Sequence, residues 1–399
     1  MNNSKIPLFE TFQPFLTWNR IIGIFPCKKV KNDDGTISLV PINKAVRFLC
    51  FGLHWSIILA LSASCWHFVL QRSGLNIFHF ARTFHPKGKS IDTALDVYIE
   101  QINIFMSMLV GLFLLVEIHL KAKDICAFHQ AVSRSYKHNE TEYKNVRWTW
   151  MKYTTVLSIF NLLFVLLFAY AIASKFQVSL HLDSTNTWLV ATAIFLFWGF
   201  FFETQFGFYL IFGECVLTIY TWTTALKDGF DENSHVLLQN THELSKCLKM
   251  TSKLFSRCNF YGMLIWLVNM IFIEYRIFSI WFSNEKNAMY ASAYVFMGLQ
   301  QVFFVVNLNV ASQVITEMVQ VLGKKIKQTN MTEMKIEWNG QWESTSFVKE
   351  IVIEDLQEFQ GFEGEGYFTL GKSFLSSIVT NFLTYFIILI QLKLTFMTF

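Results

Sequence analysis

Gly366-Tyr367-Phe368-Thr369-Leu370-Gly371-Lys372-Ser373-Phe374-Leu375 leads into an apolar run that contains Thr384-Tyr385-Phe386-Ile387-Ile388-Leu389-Ile390-Gln391. The run is long enough to cross a bilayer as a helix. Polar residues nevertheless recur along it at Ser377, Asn381, Thr384, Gln391 and Thr395, and Ile388 keeps the same register. Their helical spacing puts all six positions on one face. A helix in lipid bears such a stripe only where it meets protein or water. The last span therefore has either a helical partner or an aqueous lumen on that side.

Outward from this segment, the whole chain reads as an all-α membrane protein. Of 399 residues, 53% are hydrophobic and only 16% charged, and the 43 Phe exceed what a soluble domain of this size can bury. Seven segments are long and apolar enough to span, at about 45–70, 98–120, 150–174, 188–222, 259–282, 289–314 and 372–395. Residues 1–44 lack the apolar core and cleavage site of a signal peptide and are expected to form a cytoplasmic N-terminal segment. The rest divides into spans one to four (45–222), a cytoplasmic helix (223–258), spans five and six (259–314), further cytoplasmic helices with a glycine-rich break (315–366) and the last span (367–399).

Orientation follows from Lys and Arg. With the N-terminus inside, 25 of them fall on the cytoplasmic side and 7 outside, with Arg276 inside the fifth span. That bias predicts an extracellular C-terminus, the reverse of a G-protein-coupled receptor. None of the seven Cys lies in an outer loop, so no external disulfide is expected, and Cys126, Cys247 and Cys258 face the reducing side. A net charge of +4, dispersed along the chain, gives no footprint for nucleic acid.

The cytoplasmic parts read as continuations of helices. Leu237, Leu244, Leu248, Thr251 and Phe255 repeat at helical spacing between Lys246, Lys249, Lys253 and Arg257, and this helix is expected to run unbroken into the fifth span. It either packs into a subdomain or subunit interface or lies on the anionic inner leaflet. Phe347, Ile351, Asp355, Leu356 and Phe359 predict another amphipathic helix, ending at Gly361, Gly364 and Gly366 in a hinge or a passive turn.

Enzymatic motifs are incomplete. His242-Glu243 lacks the second His of a zinc protease, Cys126-x-x-His129 lacks a second ligand pair, and the glycines carry no phosphate-binding Lys-Ser/Thr. No metal, cofactor or catalytic group is expected.

The run Gly366-Tyr367-Phe368-Thr369-Leu370, then Lys372-Ser373-Phe374-Leu375, then Thr384-Tyr385, five apolar residues and Gln391, resembles the C-terminal signature of insect gustatory receptors. Position 392 is Leu where that family usually has Phe. The resemblance implies the fold shared with insect odorant receptors: a homotetramer or heterotetramer around a central pore, each last helix lining it, and cytoplasmic extensions forming an anchor domain. It implies a tastant-gated cation channel in the plasma membrane of sensory neurons, with a small-molecule tastant, membrane lipid and other gustatory receptors as partners. The gate maps to Ile388, with Thr384, Tyr385 and Gln391 beside it. A receptor signalling through a partner protein, an alternating-access transporter or an odorant receptor subunit are the competing classes. The chain lacks the motifs of the G-protein-coupled class and the internal repeats of a transporter.

Ligand binding in the resembled family falls in the outer half of the bundle of spans two to six. Polar and aromatic candidates there are Tyr98 and Gln101, Tyr170, Trp188 and Thr192, Trp266, Asn269 and Glu274, and Tyr290, Tyr294 and Gln300. Each competes with a role as an interfacial belt anchor. Glu274, and Glu203 with Gln205 in span four, are costly at membrane depth and must face the bundle or a cavity. Phe386, where the sugar-receptor branch of the resembled family carries Glu, turns the reading away from that branch and leaves a fructose-type, bitter-type or other ligand open.

Overall fold

A computed structural model of the chain describes residues 25–31, 37–49, 111–135, 183–228, 234–282, 288–329, 335–338 and 341–398, with isolated positions at 109, 331 and 333 and scattered helical positions within 52–67 and 152–174. In chain order these give β1 (Cys27–Lys31), β2 (Ile37–Pro41), α1 (Ala122–Ser135), α2 (Ser184–Asp228), α3 (Ser234–Phe282), α4 (Ala288–Gln328), β3 (Lys335–Trp338), β4 (Gln341–Ser344), α5 (Thr345–Glu358), β5 (Glu363–Gly364), β6 (Phe368–Thr369) and α6 (Lys372–Thr398).

The three long helices set the shape. α2, α3 and α4 contain 45, 49 and 41 residues, or roughly 68, 74 and 62 Å at 1.5 Å per residue. Each is about twice the 30 Å of bilayer hydrocarbon. A long stretch of every one must stand in the aqueous phase. α2 begins where the Asp183 carboxylate accepts from the Asn186 N–H at 2.7 Å and stops before Gly229. α3 has no proline and runs without interruption from its first, charged turns into the apolar stretch that follows. Among the described residues, three helical segments are long and apolar enough to cross a membrane: Val236–Ile280, Gln301–Gln328 and Lys372–Gln391.

α3 is the central post, packed against α1, α2, α4, α5 and α6. Its stripe Leu237, Leu244, Leu248, Thr251 and Phe255 is buried, so this face meets protein rather than the inner leaflet. Val319, Leu322 and Ile326 of α4 and Val348, Val352 and Leu356 of α5 close over it. These parts of α3, α4 and α5 thus share an apolar core, worth about 1.5–3 kcal/mol for each such side chain.

Two expectations need correction. α5 buries Thr345, Val348, Val352 and Leu356, whereas Phe347 is 48% exposed and Ile351 half-buried, so the packed face is rotated from the one read in sequence. Segment 315–366 also contains strand structure where only helices and a break are expected. β3 pairs antiparallel with β4, Trp338 opposite Gln341 across Asn339-Gly340, the dipeptide that favours two-residue hairpin loops. β5 pairs with β6, and the turn between them uses left-handed Glu365 and Gly366, at φ 48° and 73°. The N-terminal segment likewise carries a hairpin, β1–β2, with Cys27 opposite Pro41.

Candidate functional site

The start of α6 is held by side chains of α4. Ser312 Oγ donates to the Leu370 carbonyl at 2.8 Å and accepts from the Phe362 N–H at 3.1 Å. One turn earlier, Asn309 Oδ1 accepts from the Gly371 N–H at 2.9 Å. Gln313 Oε1 takes the Lys372 N–H, and the Lys372 ammonium lies 3.4 Å from Glu317. These residues fall within α4 at successive helical turns, so one edge of that helix grips both ends of the 362–371 segment. From the other side, Ser252 and Ser256 of α3 accept from the Glu363 and Glu365 N–H groups. Gly361, at φ 128°, passes so close to Thr369 that a Cβ there would stand 2.7 Å from its methyl. The glycines make a tethered hairpin rather than a free hinge.

Beyond this clamp most of the apolar stretch of α6 is left exposed by its own chain. Among the described side chains Ile378 is its last buried one, Phe386 reaches Phe278 of α3 at 6.4 Å, and only 6% of the apolar stretch is buried. Ser377, Asn381, Thr384, Ile388, Gln391 and Thr395 are all exposed. Counted at 100° per residue, this stripe lies more than about 100° from the packed face made by Ile378, Phe382, Phe386 and Leu389. Tyr385 is exposed at the edge between the two faces. The Thr384 and Thr395 hydroxyls donate to Thr380 and Gln391 carbonyls of their own helix, which leaves their oxygens facing outward as acceptors.

In the outer bundle the structure groups some candidates and separates others. Tyr170 touches Trp188 with ring centroids 5.1 Å apart, but Trp188 is 61% exposed, as a belt anchor is, and Thr192 beside it is exposed. Glu274 is half-buried with its carboxylate aimed at α4, where a Cβ on Gly298 would come within 3.8 Å. Arg276 is buried under the Tyr294 ring, 5.9 Å from its centroid. Tyr290 and Gln300 lie on α4, and Glu203 and Gln205 on α2. Tyr98 and Gln101 fall outside the described residues.

Trp266 lies 16 residues before the end of α3, about 24 Å along the helix, against about 12 Å for Glu274. Its ring stacks on Tyr209 at 5.0 Å, and Tyr209 stacks on Phe304 at 4.1 Å, so three helices meet in one aromatic pile. Asn269 is buried within three residues of it. Among the described residues, Trp266 Nε1, Tyr209 OH and, one turn from Phe304, Gln301 Oε1 are buried without a hydrogen-bond partner. Such groups cost about 1–3 kcal/mol each when unmet, so this level of the bundle suits water or another polar group. Tyr209 and Phe304 escape the sequence reading because aromatics are so frequent in these apolar spans that none stands out. A second aromatic series runs inward from here: Phe208 stacks on Phe212 at 6.3 Å, Phe212 meets Phe362 at 5.4 Å, and Phe362 meets Phe359 at 5.5 Å. It ends at the clamped hairpin.

The first half of α3 and α5 are joined by ion pairs. Lys249 of α3 bridges Asp355 and Glu358 of α5 at 2.8 and 2.7 Å, and these bonds hold its ammonium above the ordinary lysine range. His242 Nδ1 lies 3.2 Å from Asp355, but burial, then Lys246, push its imidazole below the usual histidine value.

The whole arrangement matches solved structures. The insect olfactory receptor OR5 from Machilis hrabei in complex with eugenol superimposes with TM-score 0.64 at 13% identity, covering 96% of this chain and 98% of that one. A further structure of the same receptor gives 0.62 at 14% identity, with 96% and 97% covered. The chain has the insect olfactory receptor fold. At such low identity the likeness speaks for fold alone, and with its apolar helices it makes this a multi-pass membrane protein. No protein-family model and no curated protein matches the chain.

Proposed function

We propose that this chain is a subunit of a gustatory receptor, a tastant-gated cation channel in the plasma membrane of sensory neurons. The observation that carries the reading is the polar stripe of α6, exposed on a helix that its own chain barely covers. Four copies arranged with these stripes inward would enclose a wet lumen, with Thr384, Gln391 and Thr395 offering oxygen and amide groups to hydrated ions. A ring of Ile388 side chains would close it by excluding water. Such an assembly binds and gates, and needs no enzymatic turnover.

Opening is driven from the bundle. A small organic ligand that meets Trp266, Tyr209 and Gln301, or the Glu274 carboxylate above them, changes how α2, α3 and α4 pack. The aromatic series from Phe208 to Phe359 and the Ser312 and Asn309 bonds connect that packing to the base of α6. A fructose-type or bitter-type ligand suits the Phe after Thr384-Tyr385. An odorant receptor subunit is the second reading, favoured by the olfactory fold and by the eugenol bound to the receptor solved in that fold.

Cells expressing the chain, alone and with other gustatory receptors, should pass cation current when exposed to a tastant panel, and a parallel panel of volatile phenols separates the second reading. A C-terminal tag should stain on intact cells and an N-terminal tag only after permeabilisation. The opposite staining, or surface chains that stay electrically silent to both panels, overturns the proposal.

A further inference from the structure

Cys126 has no use in the channel reading, and in sequence it stands apart from any second thiol. The fold supplies one from 99 residues away. The N-terminal hairpin lies on α1 through β2, which brings Cys27 of β1 against the first turns of that helix. The two sulfurs are 3.4 Å apart, and the Cys27 thiol points on to the Ala122 carbonyl at 3.6 Å. Both side chains are buried, so neither is open to bulky thiols. No group of three metal-ligating side chains exists among the described residues, so the pair with His129 does not make a metal site.

We propose that Cys27 and Cys126 form a redox-active dithiol, which a peroxide converts to a disulfide that fastens the N-terminal hairpin to α1. The surroundings favour attack by Cys126. Its bond to Cys27 and the buried Arg47 guanidinium, itself anchored by donating to the His119 carbonyl at 2.7 Å, lower the Cys126 thiol from its ordinary value despite burial. Cys247, buried and with Glu243 beside it, is instead pushed up to about 12.

The chemistry balances with peroxide as oxidant. The Cys126 thiolate attacks one peroxide oxygen, an S–O bond forms, the O–O bond breaks, and the leaving hydroxide takes a proton to become water. Cys27, as thiolate, then attacks the Cys126 sulfur. The S–S bond forms, the S–O bond breaks, and the second hydroxide leaves as water. Two thiols lose two electrons in all, and the peroxide is reduced to two waters. Since α1 packs on α3, the new bond ties the hairpin covalently to a helix that rests on the central post of the bundle. In a reducing cytoplasm the dithiol is the resting form and the bond reports oxidative load.

The test uses the full chain in lipid nanodiscs, exposed to hydrogen peroxide, quenched in acid, denatured, alkylated and mapped by mass spectrometry. A Cys27–Cys126 cross-linked peptide should appear, two hydrogens lighter than the sum of its parts and cleaved by dithiothreitol. Alkylation should be lost at both positions together and kept at Cys247. C126S should abolish the cross-link and leave Cys27 alkylated, whereas C27S should leave Cys126 trapped as a dimedone adduct of its sulfenic acid. The wild-type map decides the matter even where a variant fails to fold. Full alkylation at both positions after a free-thiol standard has been consumed, or Cys126 carried to sulfinic acid with Cys27 still alkylated, overturns the proposal.

Discussion

Replacing Ser312 with Ala isolates the grip of α4 on the base of α6. The hydroxyl is fully buried and serves two backbone groups, the Leu370 carbonyl at 2.8 Å and the Phe362 N–H at 3.1 Å. Removing it strands both in a dry site. At about 1–3 kcal/mol for each unmet group, a combined cost of about 2–4 kcal/mol is expected after partial relaxation. Because every 1.4 kcal/mol is tenfold, even about 2 kcal/mol raises local opening of the hairpin roughly 30-fold. Hydrogen–deuterium exchange of peptides covering 359–371 reads this directly. The internal control is Ser252→Ala, which removes the bond from the Glu363 N–H at 3.3 Å in a solvent-exposed position where water replaces the hydroxyl. Exchange there should change by less than about threefold, in line with an exposed substitution. Equal exchange in the two variants, or none beyond wild type in Ser312→Ala, would refute the clamp.

Further tests address the pore, the bundle and the cytoplasmic helices. Ile388→Ala or Ile388→Ser should raise current in the absence of ligand, at unchanged surface expression, and an unaltered basal current places the gate elsewhere. With cysteine at 391 a charged thiol reagent should change conductance, whereas at half-buried Leu389 on the packed face it should not, and matched effects contradict the assigned face. Glu274→Gln should shift the agonist dose-response without altering ion selectivity, and the reverse pattern moves this carboxylate to the permeation path. His242 contributes stability that is complete above the unfolded histidine value near 6.5 and is lost as pH falls through its lower folded value, because burial disfavours the imidazolium. Thermal midpoints measured downward from pH 7.5 should therefore fall more steeply in wild type than in His242→Gln, and a wild type that gains stability on acidification contradicts the sign.

The α6 stripe and the buried face of the 234–258 helix are legible in the sequence because both are periodic, and helical geometry turns period into place. The uninterrupted path of α3 is legible for the same reason, joined to the lack of proline. Pairings at long range are not. Ser312, Asn309 and Leu370 look like any polar or apolar residues in their segments until α4 and the hairpin meet. Cys27 and Cys126 carry no spacing that joins them. Asn339-Gly340 between alternating residues does announce a hairpin, but its strands are only four residues long and sit between two strong helical patterns. Rotation of the α5 face came from giving Phe347 the weight of its size, whereas the smaller Val348 and Val352 fill the closer gap to α3 and α4.

The bare flank of α6 also bears on how such receptors are made and counted in a cell. In the proposed assembly, a chain that has entered the membrane but not yet found its companions shows Asn381 and Gln391 to acyl tails. That display is a chemical mark of an orphan subunit, legible to the machinery that retains and degrades unfinished membrane proteins. Delivery to the cell surface would then track the scarcest member of a mixed receptor rather than the most abundant, and surplus copies would be cleared instead of accumulating as silent monomers.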